Sequence, residues 1–144
     1  MSPEARGALI RSLCEIEALS FSDPWSEAMF ADSLDNPLVR LVTLTEEGAL
    51  VAYCLFAIVS PEAELLNLAV MPEMRKRGIA RTLLSEALTA LELESVDTVF
   101  LEVRESNIPA RALYDSLGFI PVGRRKHYYR YPTEDAVVML RRPD

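Results

Sequence analysis

Apolar residues near the start of the chain recur every three or four positions, which is the spacing of one helix face. A helix is predicted over about residues 3–19, and its buried face is expected to carry Leu9, Leu13, Ile16 and Leu19. Ser26 is a typical N-cap residue and predicts the start of a short second helix, which Asn36-Pro37 ends. The chain therefore begins with two amphipathic helices.

Continuous apolar runs then replace the helical spacing and predict buried strands. Residues 38–44 and 49–59 flank a turn that contains Gly48, so they are expected to form an antiparallel hairpin. Residues 64–70 supply the next strand. Because the longest run, 49–59, is too short to cross a bilayer, no membrane partner is expected.

Helix and strand patterns alternate in the second half of the chain. A helix is predicted over about residues 79–91, a strand over 98–104, and a helix over 107–118 with Pro near its start and Gly at its end. Residues 119–122 and 135–141 are predicted to pair around a tyrosine-rich hairpin. A strand, a helix and a second strand in succession predict a parallel crossover. The predicted fold is α/β (α+β mixed), with a central, mostly antiparallel sheet and helices on both faces.

Length and charge narrow the classes of function. A chain of 144 residues with 50% hydrophobic composition is expected to form a single domain over residues 1–144. The N-terminus resembles no secretory signal, so a cytoplasmic location is expected. The formal net charge of -7 argues against direct nucleic-acid binding. The sequence leaves the oligomeric state open, with a monomer favoured.

Cysteine and histidine usage argues against a metal site and against a thiol nucleophile. Cys14 and Cys54 lie among apolar neighbours and are expected to be buried and reduced. His127 is the single histidine, so the clustered spacing of a zinc site is missing and no metal is expected. A hydrolase that pairs one of these cysteines with His127 is the least favoured alternative, because nothing in the sequence orients such a dyad.

A basic turn before the helix at 79–91 is the strongest candidate for binding a ligand. Four of the 15 basic residues in this acidic chain crowd it, namely Arg75, Lys76, Arg77 and Arg81. The first N–H groups of a helix lack intrahelical acceptors and the helix dipole is positive there, which stabilises a bound phosphate. Gly78 lets the backbone approach such an anion closely. The turn therefore predicts a site for a small phosphorylated ligand.

Motifs along most of the chain resemble, in order and spacing, those of the GCN5-related N-acetyltransferase (GNAT) family. The matching segments are Asn67-Leu-Ala-Val-Met-Pro72, Arg75-Lys-Arg-Gly-Ile-Ala80, Leu101-Glu-Val-Arg-Glu-Ser-Asn107 and Ala112-Leu-Tyr-Asp-Ser-Leu-Gly-Phe119. Three further segments look like the ribosomal-protein-alanine N-acetyltransferases within that family: Asp23-Pro-Trp-Ser26, Tyr128-Tyr129 and Glu134-Asp-Ala136. The combination is far more specific than any one motif.

This resemblance implies the GNAT fold, with acetyl-CoA as co-substrate bound where two strands splay apart. The backbone of Leu68, Ala69 and Val70 would line up with the pantetheine arm, because an exposed strand edge can pair with amides. The pyrophosphate would be held by the turn, through Arg75, Lys76, Arg77, Gly78, Ile79, Ala80 and Arg81. Asn107 would bond the CoA arm, although a role in capping its own helix also explains it. Ala80 stands where many relatives have glycine, and its small methyl group leaves the helix start accessible.

The resemblance also implies a catalytic pair for direct transfer of the acetyl group to an amine. Glu102 matches the general base of the family and Tyr114 its general acid. The residues alone leave other roles open. Glu102 can be a strand carboxylate that pairs with Arg104 on the same face, and Tyr114 can be a packed core residue.

Acceptor binding is assigned by the same resemblance to aromatic residues. Trp25, Tyr128 and Tyr129 match signature positions near the peptide-entry end of the cleft, although they can also simply pack against the second helix and the hairpin. The implied reaction acetylates the N-terminal alanine of a small-subunit ribosomal protein, whose N-terminal segment is the partner. Two alternatives stay open: a GNAT enzyme acting on other protein N-termini or small amines, and a non-catalytic acyl-CoA-binding module.

Overall fold

The computed structural model describes residues 1–142 of the protein. In chain order the elements are α1 (Pro3–Ser20), α2 (Glu27–Asp35), β1 (Val39–Glu46), β2 (Ala49–Val59), β3 (Glu62–Val70), α3 (Ile79–Leu93), β4 (Thr98–Arg104), α4 (Ile108–Ser116), β5 (Ile120–Tyr129) and β6 (Glu134–Arg141). The six strands form one sheet in the order β1-β2-β3-β4-β6-β5. Pro143 and Asp144, the last residues of the predicted domain 1–144, lie outside the described residues.

Helices cover both faces of the sheet, as the sequence pattern predicts. On one face, Leu13 and Ile16 of α1 and Phe30 of α2 pack with Tyr53 and Leu55 of β2. On the other face α3 and α4 cover the sheet, and the fully buried large side chains of this cluster include Phe56, Leu84, Leu88, Leu91, Leu101 and Phe119. Each such side chain removed from water contributes roughly 1.5–3 kcal/mol. The mixed α/β fold class is confirmed.

The buried face of α1 differs from the prediction at its last turn. Leu19, expected to be buried, is 53% exposed, whereas Glu17 is only 1% exposed. At 3.6 residues per turn, Leu19 lies roughly 120° around the helix from Leu13, and Glu17 lies about 40° from it. The face that meets the sheet therefore continues through Glu17, and a carboxylate enters the core where the sequence pattern had placed a leucine.

The sheet opens between its two central strands. β3 and β4 run parallel, whereas every other neighbouring pair is antiparallel. The parallel pairing covers only residues 62–65 of β3 and 98–101 of β4. A bulge at Leu66 follows, and the two strands continue without pairing to each other. They enclose a cleft between the end of β3 and the end of β4.

The last hairpin is longer than predicted. The expected strand at 119–122 is the start of β5, which runs on to Tyr129. β5 is an edge strand exposed along nearly its whole length, so no alternation of apolar residues marks it in the sequence. Its pairing with β6 is interrupted between Arg125 and Tyr129, where His127 has a φ of 52°. Within residues 1–142, no helix has the length and apolar character needed to span a membrane.

Candidate active site

The cleft exposes backbone groups of β3. Met71 donates its N–H to the carbonyl of Val51 at 2.8 Å. This bond makes the adjacent pair, Val70 opposite Ala52, one of the antiparallel pairs that exchange no hydrogen bond. Val70 and Leu68, two residues earlier, therefore direct their N–H and C=O groups away from β2 and into the cleft.

Two of these four groups already have partners. The N–H of Leu68 donates to Oδ1 of Asn67 at 3.1 Å, and the carbonyl of Val70 accepts from Nε of Arg75 at 3.0 Å. The other two, the carbonyl of Leu68 and the N–H of Val70, form an acceptor and a donor on one strand edge. Ala69 lies between them and has the opposite orientation, so its backbone faces β2.

The basic turn ends in an open helix N-terminus. Lys76 and Gly78 have φ values of 64° and 76°, and α3 starts directly afterwards with no side chain capping it. The first helical bond runs from the N–H of Thr82 to the carbonyl of Gly78 at 3.0 Å. The N–H groups of Ile79, Ala80 and Arg81 come before this bond, so they have no acceptor within the helix. A Cβ placed on Gly78 would meet no atom within 4 Å, so the approach to these donors is open.

The four cations of the turn have different contacts. Arg75 ties the turn to the protein, since it also donates from Nη2 to Oγ of Ser20 at 2.9 Å. Arg81 reaches across to Oγ of Ser116 at the end of α4. Lys76 and Arg77 are exposed. The exposed charges of Lys76 and Arg77 directly precede the open helix start, which favours an anion there.

Glu102 faces the cleft from β4. Its neighbours Leu101 and Val103 point into the core under α3 and α4, so strand alternation places Glu102 on the α1 face. The side chain is only 9% exposed, and its Oε2 has no hydrogen-bond partner among the described residues. Nε of Arg125 lies 3.1 Å from Oε2, but the geometry is that of a charge contact without a hydrogen bond. A buried carboxylate oxygen in this state is a strong acceptor for an incoming donor.

The pairing of Glu102 with Arg104, which the sequence left open, is wrong. Arg104 instead contacts Glu134 at 3.2 Å. It also donates to the carbonyl of Pro132 at 2.9 Å and lies over the ring of Tyr129, 4.6 Å from its centroid. Arg104 thus holds the hairpin between β5 and β6 against the end of β4.

Tyr114 lies on the other face of the sheet. It is 8% exposed and packs edge-on against Phe119, with ring centroids 5.7 Å apart. Burial, with a smaller contribution from Cys54, raises the pKa of Tyr114 well above its usual range, so the phenol stays protonated. Asn107 caps α4 by accepting from the N–H of Ala110 at 3.2 Å. The capping role of Asn107 is confirmed, and its role toward a ligand stays a prediction.

The aromatic residues assigned to the acceptor lie in the α1–α2 loop and at the end of β5. Tyr128 and Tyr129 contact each other edge-on with ring centroids 5.0 Å apart. Burial is the main cause that raises the pKa of Tyr129, and the electrostatic influence of Tyr128, Glu102 and Tyr114 adds to it. Trp25 packs against Phe30, with ring centroids 5.2 Å apart.

An ion pair joins the hairpin to the α1–α2 loop: Nη2 of Arg130 lies 3.4 Å from Oδ2 of Asp23. This contact brings the loop of Trp25 beside the hairpin of Tyr128 and Tyr129, whereas Tyr114 lies on the other face of the sheet. Both cysteines are free, and within residues 1–142 no three His, Cys, Asp or Glu side chains are grouped as metal ligands would be.

Two further acidic residues near the cleft were missed by sequence analysis. Glu64 on β3 points to the same face of the sheet as Glu102, because its neighbours Ala63 and Leu65 point into the core under α3 and α4. Burial, and then the charge of Glu102, raises the pKa of Glu64. Glu17 lies beneath β3, where it accepts from Nδ2 of Asn67 at 2.6 Å and from the phenol of Tyr53. The sequence did contain a signal for the partners of Glu17: Tyr53 and Asn67 are isolated polar residues inside otherwise apolar strands.

Comparison with known proteins gives a consistent family. The model of the acetyltransferase (GNAT) family matches residues 10–119. The [ribosomal protein bS18]-alanine N-acetyltransferase of Escherichia coli (strain K12) is 40% identical over 128 residues, which cover 86% of this chain and 84% of the relative.

Solved structures agree with that relationship. The crystal structure of the E. coli ribosomal-protein-S18-alanine N-acetyltransferase superposes with a TM-score of 0.87 at 36% identity and covers 92% of this chain and 86% of the other. A chain of the NatC complex bound to Gag peptide and CoA has the same fold, with a TM-score of 0.79, 22% identity and coverage of 94% and 91%. The protein described here belongs to the GNAT family and is an N-acetyltransferase.

Proposed function

We propose that this enzyme transfers an acetyl group from acetyl-CoA to the N-terminal α-amine of a protein, and that its acceptor is the N-terminal alanine of the small-subunit ribosomal protein bS18. The observation that carries this proposal is the 40% identity, over 86% of the chain, with an enzyme named for that reaction. We place the reaction in the cytoplasm and assign it to one domain spanning residues 1–144.

The open edge of β3 and the start of α3 fit the two ends of the donor. The carbonyl of Leu68 and the N–H of Val70 offer complementary partners to the amides of a pantetheine arm. The first-turn N–H groups of α3 offer donors to a pyrophosphate, and Lys76 and Arg77 add charge beside them. Arg75 fixes the angle between these two sites, since it bonds the carbonyl of Val70 from within the turn.

Glu102 has the environment that a general base for this reaction requires. An α-ammonium group has a pKa of about 7.7–8.0, so removing its proton near pH 7 costs only about 1 kcal/mol. Oε2 of Glu102 has a charge contact with Arg125 but accepts no hydrogen bond, and we assign it the acceptance of that proton, directly or through a water molecule. The N–C bond to the acetyl carbon then forms, the C–S bond breaks, and coenzyme A leaves as the thiol or thiolate.

Tyr114 supports the departing sulfur as a hydrogen-bond donor. Reference pKa values of about 10 for a phenol and 8.5 for a thiol make full proton transfer to a thiolate uphill by roughly 2 kcal/mol. Burial raises the pKa of Tyr114 further, which makes that transfer still less favourable. We therefore assign Tyr114 a hydrogen bond to the leaving sulfur rather than delivery of a proton.

The acceptor peptide enters between the α1–α2 loop and the β5–β6 hairpin. Trp25 comes from this loop, and Tyr128 and Tyr129 come from the end of β5 in the hairpin. Glu64 and Glu102 bring two carboxylates to this mouth beside Arg125, and we assign them the attraction of the positively charged terminus of a substrate before it is deprotonated. We assign the three aromatic side chains to the peptide backbone next to that terminus.

A panel of acceptors tests the proposal. Peptides that differ only in their first residue are assayed with acetyl-CoA beside polyamines and aminoglycosides, and the peptide that begins with the bS18 sequence is expected to have the highest kcat/KM. Better turnover of small amines would overturn the choice of acceptor. A wild-type enzyme that binds acetyl-CoA but acetylates nothing would identify a binding module instead. Mass spectrometry of cells lacking this chain is expected to show one unacetylated ribosomal-protein N-terminus.

A further inference from the structure

We infer that Glu17 is a positioning residue for acetyl transfer, whose buried carboxylate fixes the acceptor-side loop to the donor-side strand. The inference rests on the proposed function, because it joins the loop assigned to the peptide to the strand edge assigned to acetyl-CoA. Glu17 itself lies in the core and touches neither site. It acts through the two segments that it holds.

Three donors from three parts of the chain meet this one carboxylate. Oε2 accepts from the backbone N–H of Trp25 at 3.0 Å. Oε1 accepts from Nδ2 of Asn67 at 2.6 Å and from the hydroxyl group of Tyr53. Glu17 is 1% exposed, and its partners are hydrogen-bond donors rather than a cation. Burial raises the pKa of Glu17, whereas the hydrogen bonds from Tyr53, Trp25 and Asn67 oppose that rise and favour the carboxylate. A buried carboxylate is unfavourable unless its oxygens are satisfied, so it depends on these three bonds.

On the acceptor side, the bond to Trp25 determines where the α1–α2 loop lies. It is a main-chain bond, so it fixes the path of the loop whatever the side chain at position 25. The indole ring then packs against Phe30 beneath the loop. Without Glu17, the N–H of Trp25 has lost its buried acceptor and the loop gains freedom to move away from the cleft.

On the donor side, Glu17 sets the orientation of the Asn67 amide. Because Nδ2 of Asn67 points at Glu17, its Oδ1 is turned to the N–H of Leu68, which it accepts at 3.1 Å. This bond occupies one of the cleft-facing groups of β3 and leaves the Leu68 carbonyl for the ligand. The carboxylate thus decides which backbone groups the donor meets.

A carboxylate is required because all three neighbours donate. Glutamine has nearly the same shape, but it has one acceptor oxygen and a donor NH2 group. Its oxygen is expected to stay with the two donors from Tyr53 and Asn67, which turns the NH2 group toward the N–H of Trp25. Two donors then face each other, and the loop is released while the strand side is retained.

The test compares Glu17→Gln with Tyr53→Phe. The second variant removes the bond from Tyr53 to the same carboxylate and a long contact of 3.4 Å from Nδ2 of Asn67 to the Tyr53 hydroxyl, but it leaves the bonds from Trp25 and Asn67 to Glu17. Trp25 is the single tryptophan, so its fluorescence and its quenching by acrylamide report on the loop without any substrate. We expect Glu17→Gln to increase quenching and to raise the KM for the peptide by about 10-fold, the loss of one hydrogen bond to a charged group, with a much smaller change in kcat. Tyr53→Phe is expected to lower the melting temperature without either effect.

A third variant tests the donor side and is available even if Glu17→Gln does not fold. Asn67→Ala frees the N–H of Leu68 and is expected to change the KM for acetyl-CoA several-fold while leaving the quenching of Trp25 at the wild-type level. If Glu17→Gln matches Tyr53→Phe in quenching and in peptide KM, or if Asn67→Ala leaves the KM for acetyl-CoA unchanged, the inference is wrong. Failure of the proposed function has a different signature, since wild-type enzyme would then acetylate no peptide although the quenching difference persists.

Discussion

Replacing Gly78 by alanine tests the anion site at the start of α3, and the chain offers a matched control. Gly78 has a φ of 76° and Gly48, in the turn between β1 and β2, has a φ of 82°. A Cβ at either position would meet no atom within 4 Å. Both substitutions therefore cost the same backbone strain, roughly 1–2 kcal/mol, with no steric clash in the free protein.

The two variants are expected to differ only in ligand binding. Both should melt roughly 3–8 °C below the wild type, since 1 kcal/mol corresponds to a few degrees for a chain of this length. In Gly78→Ala the new methyl group also stands where a pyrophosphate approaches the N–H groups of α3. The loss of one hydrogen bond to a charged group, about 1.5–3 kcal/mol, corresponds to about 10- to 100-fold weaker binding of CoA.

Isothermal titration calorimetry with CoA, together with thermal melts, separates the two effects. Gly48→Ala is expected to bind CoA as tightly as the wild type does, in spite of its lower melting temperature. If both variants bind CoA as tightly as the wild type does, the assignment of the phosphate site to this helix start is refuted. A loss of affinity in both would show that general destabilisation, and not the local approach of the anion, is responsible.

Three further substitutions address the chemistry and the acceptor. Glu102→Gln is expected to lower kcat/KM at pH 7 by about 10²- to 10⁴-fold, with partial recovery near pH 9, where the free amine predominates. The control Glu105→Gln, which breaks an exposed ion pair with Arg124, should have no effect, and equal rates for the two variants would contradict the role of Glu102. Tyr114→Phe should lower kcat about 10-fold at constant peptide KM, and an unchanged kcat would exclude Tyr114 from catalysis. Because burial raises the pKa of this phenol, the wild-type enzyme should keep its rate up to pH 10. Arg104→Met should raise the peptide KM about 10-fold by freeing the hairpin, while Arg40→Met, which breaks the exposed pair with Glu94, should change neither stability nor KM appreciably. Similar KM values for the two variants would refute the holding role of Arg104.

Features that depend on local chemistry were predictable from the sequence. The caps at Ser26 and Asn107 accept the expected backbone N–H groups, from Met29 and Ala110. The helix after Gly78 begins where the turn and the apolar stripe indicate. In each case the residues that decide the structure lie within a few positions of one another, so their pattern is visible in the chain itself.

Features that depend on distant partners were not predictable. Glu17 was counted with the polar face of α1, because its partner Asn67 lies 50 positions later. Arg75 lies in a basic turn of the kind that binds phosphate, yet it donates hydrogen bonds to the carbonyl of Val70 and to Oγ of Ser20. The extent of β5 is set by hydrogen bonding to β6, and its residues show no apolar alternation.

The divergence of β3 from β4 has a consequence for mutational scanning. If the main-chain atoms of Leu68 and Val70 hold the co-substrate, exchanging either aliphatic side chain for another leaves every contacting atom in place. An alanine scan would then report this strand as tolerant although it is indispensable. Replacing single amides by esters, or inserting proline at position 70, would remove the contacting atoms themselves and show how much the enzyme depends on them.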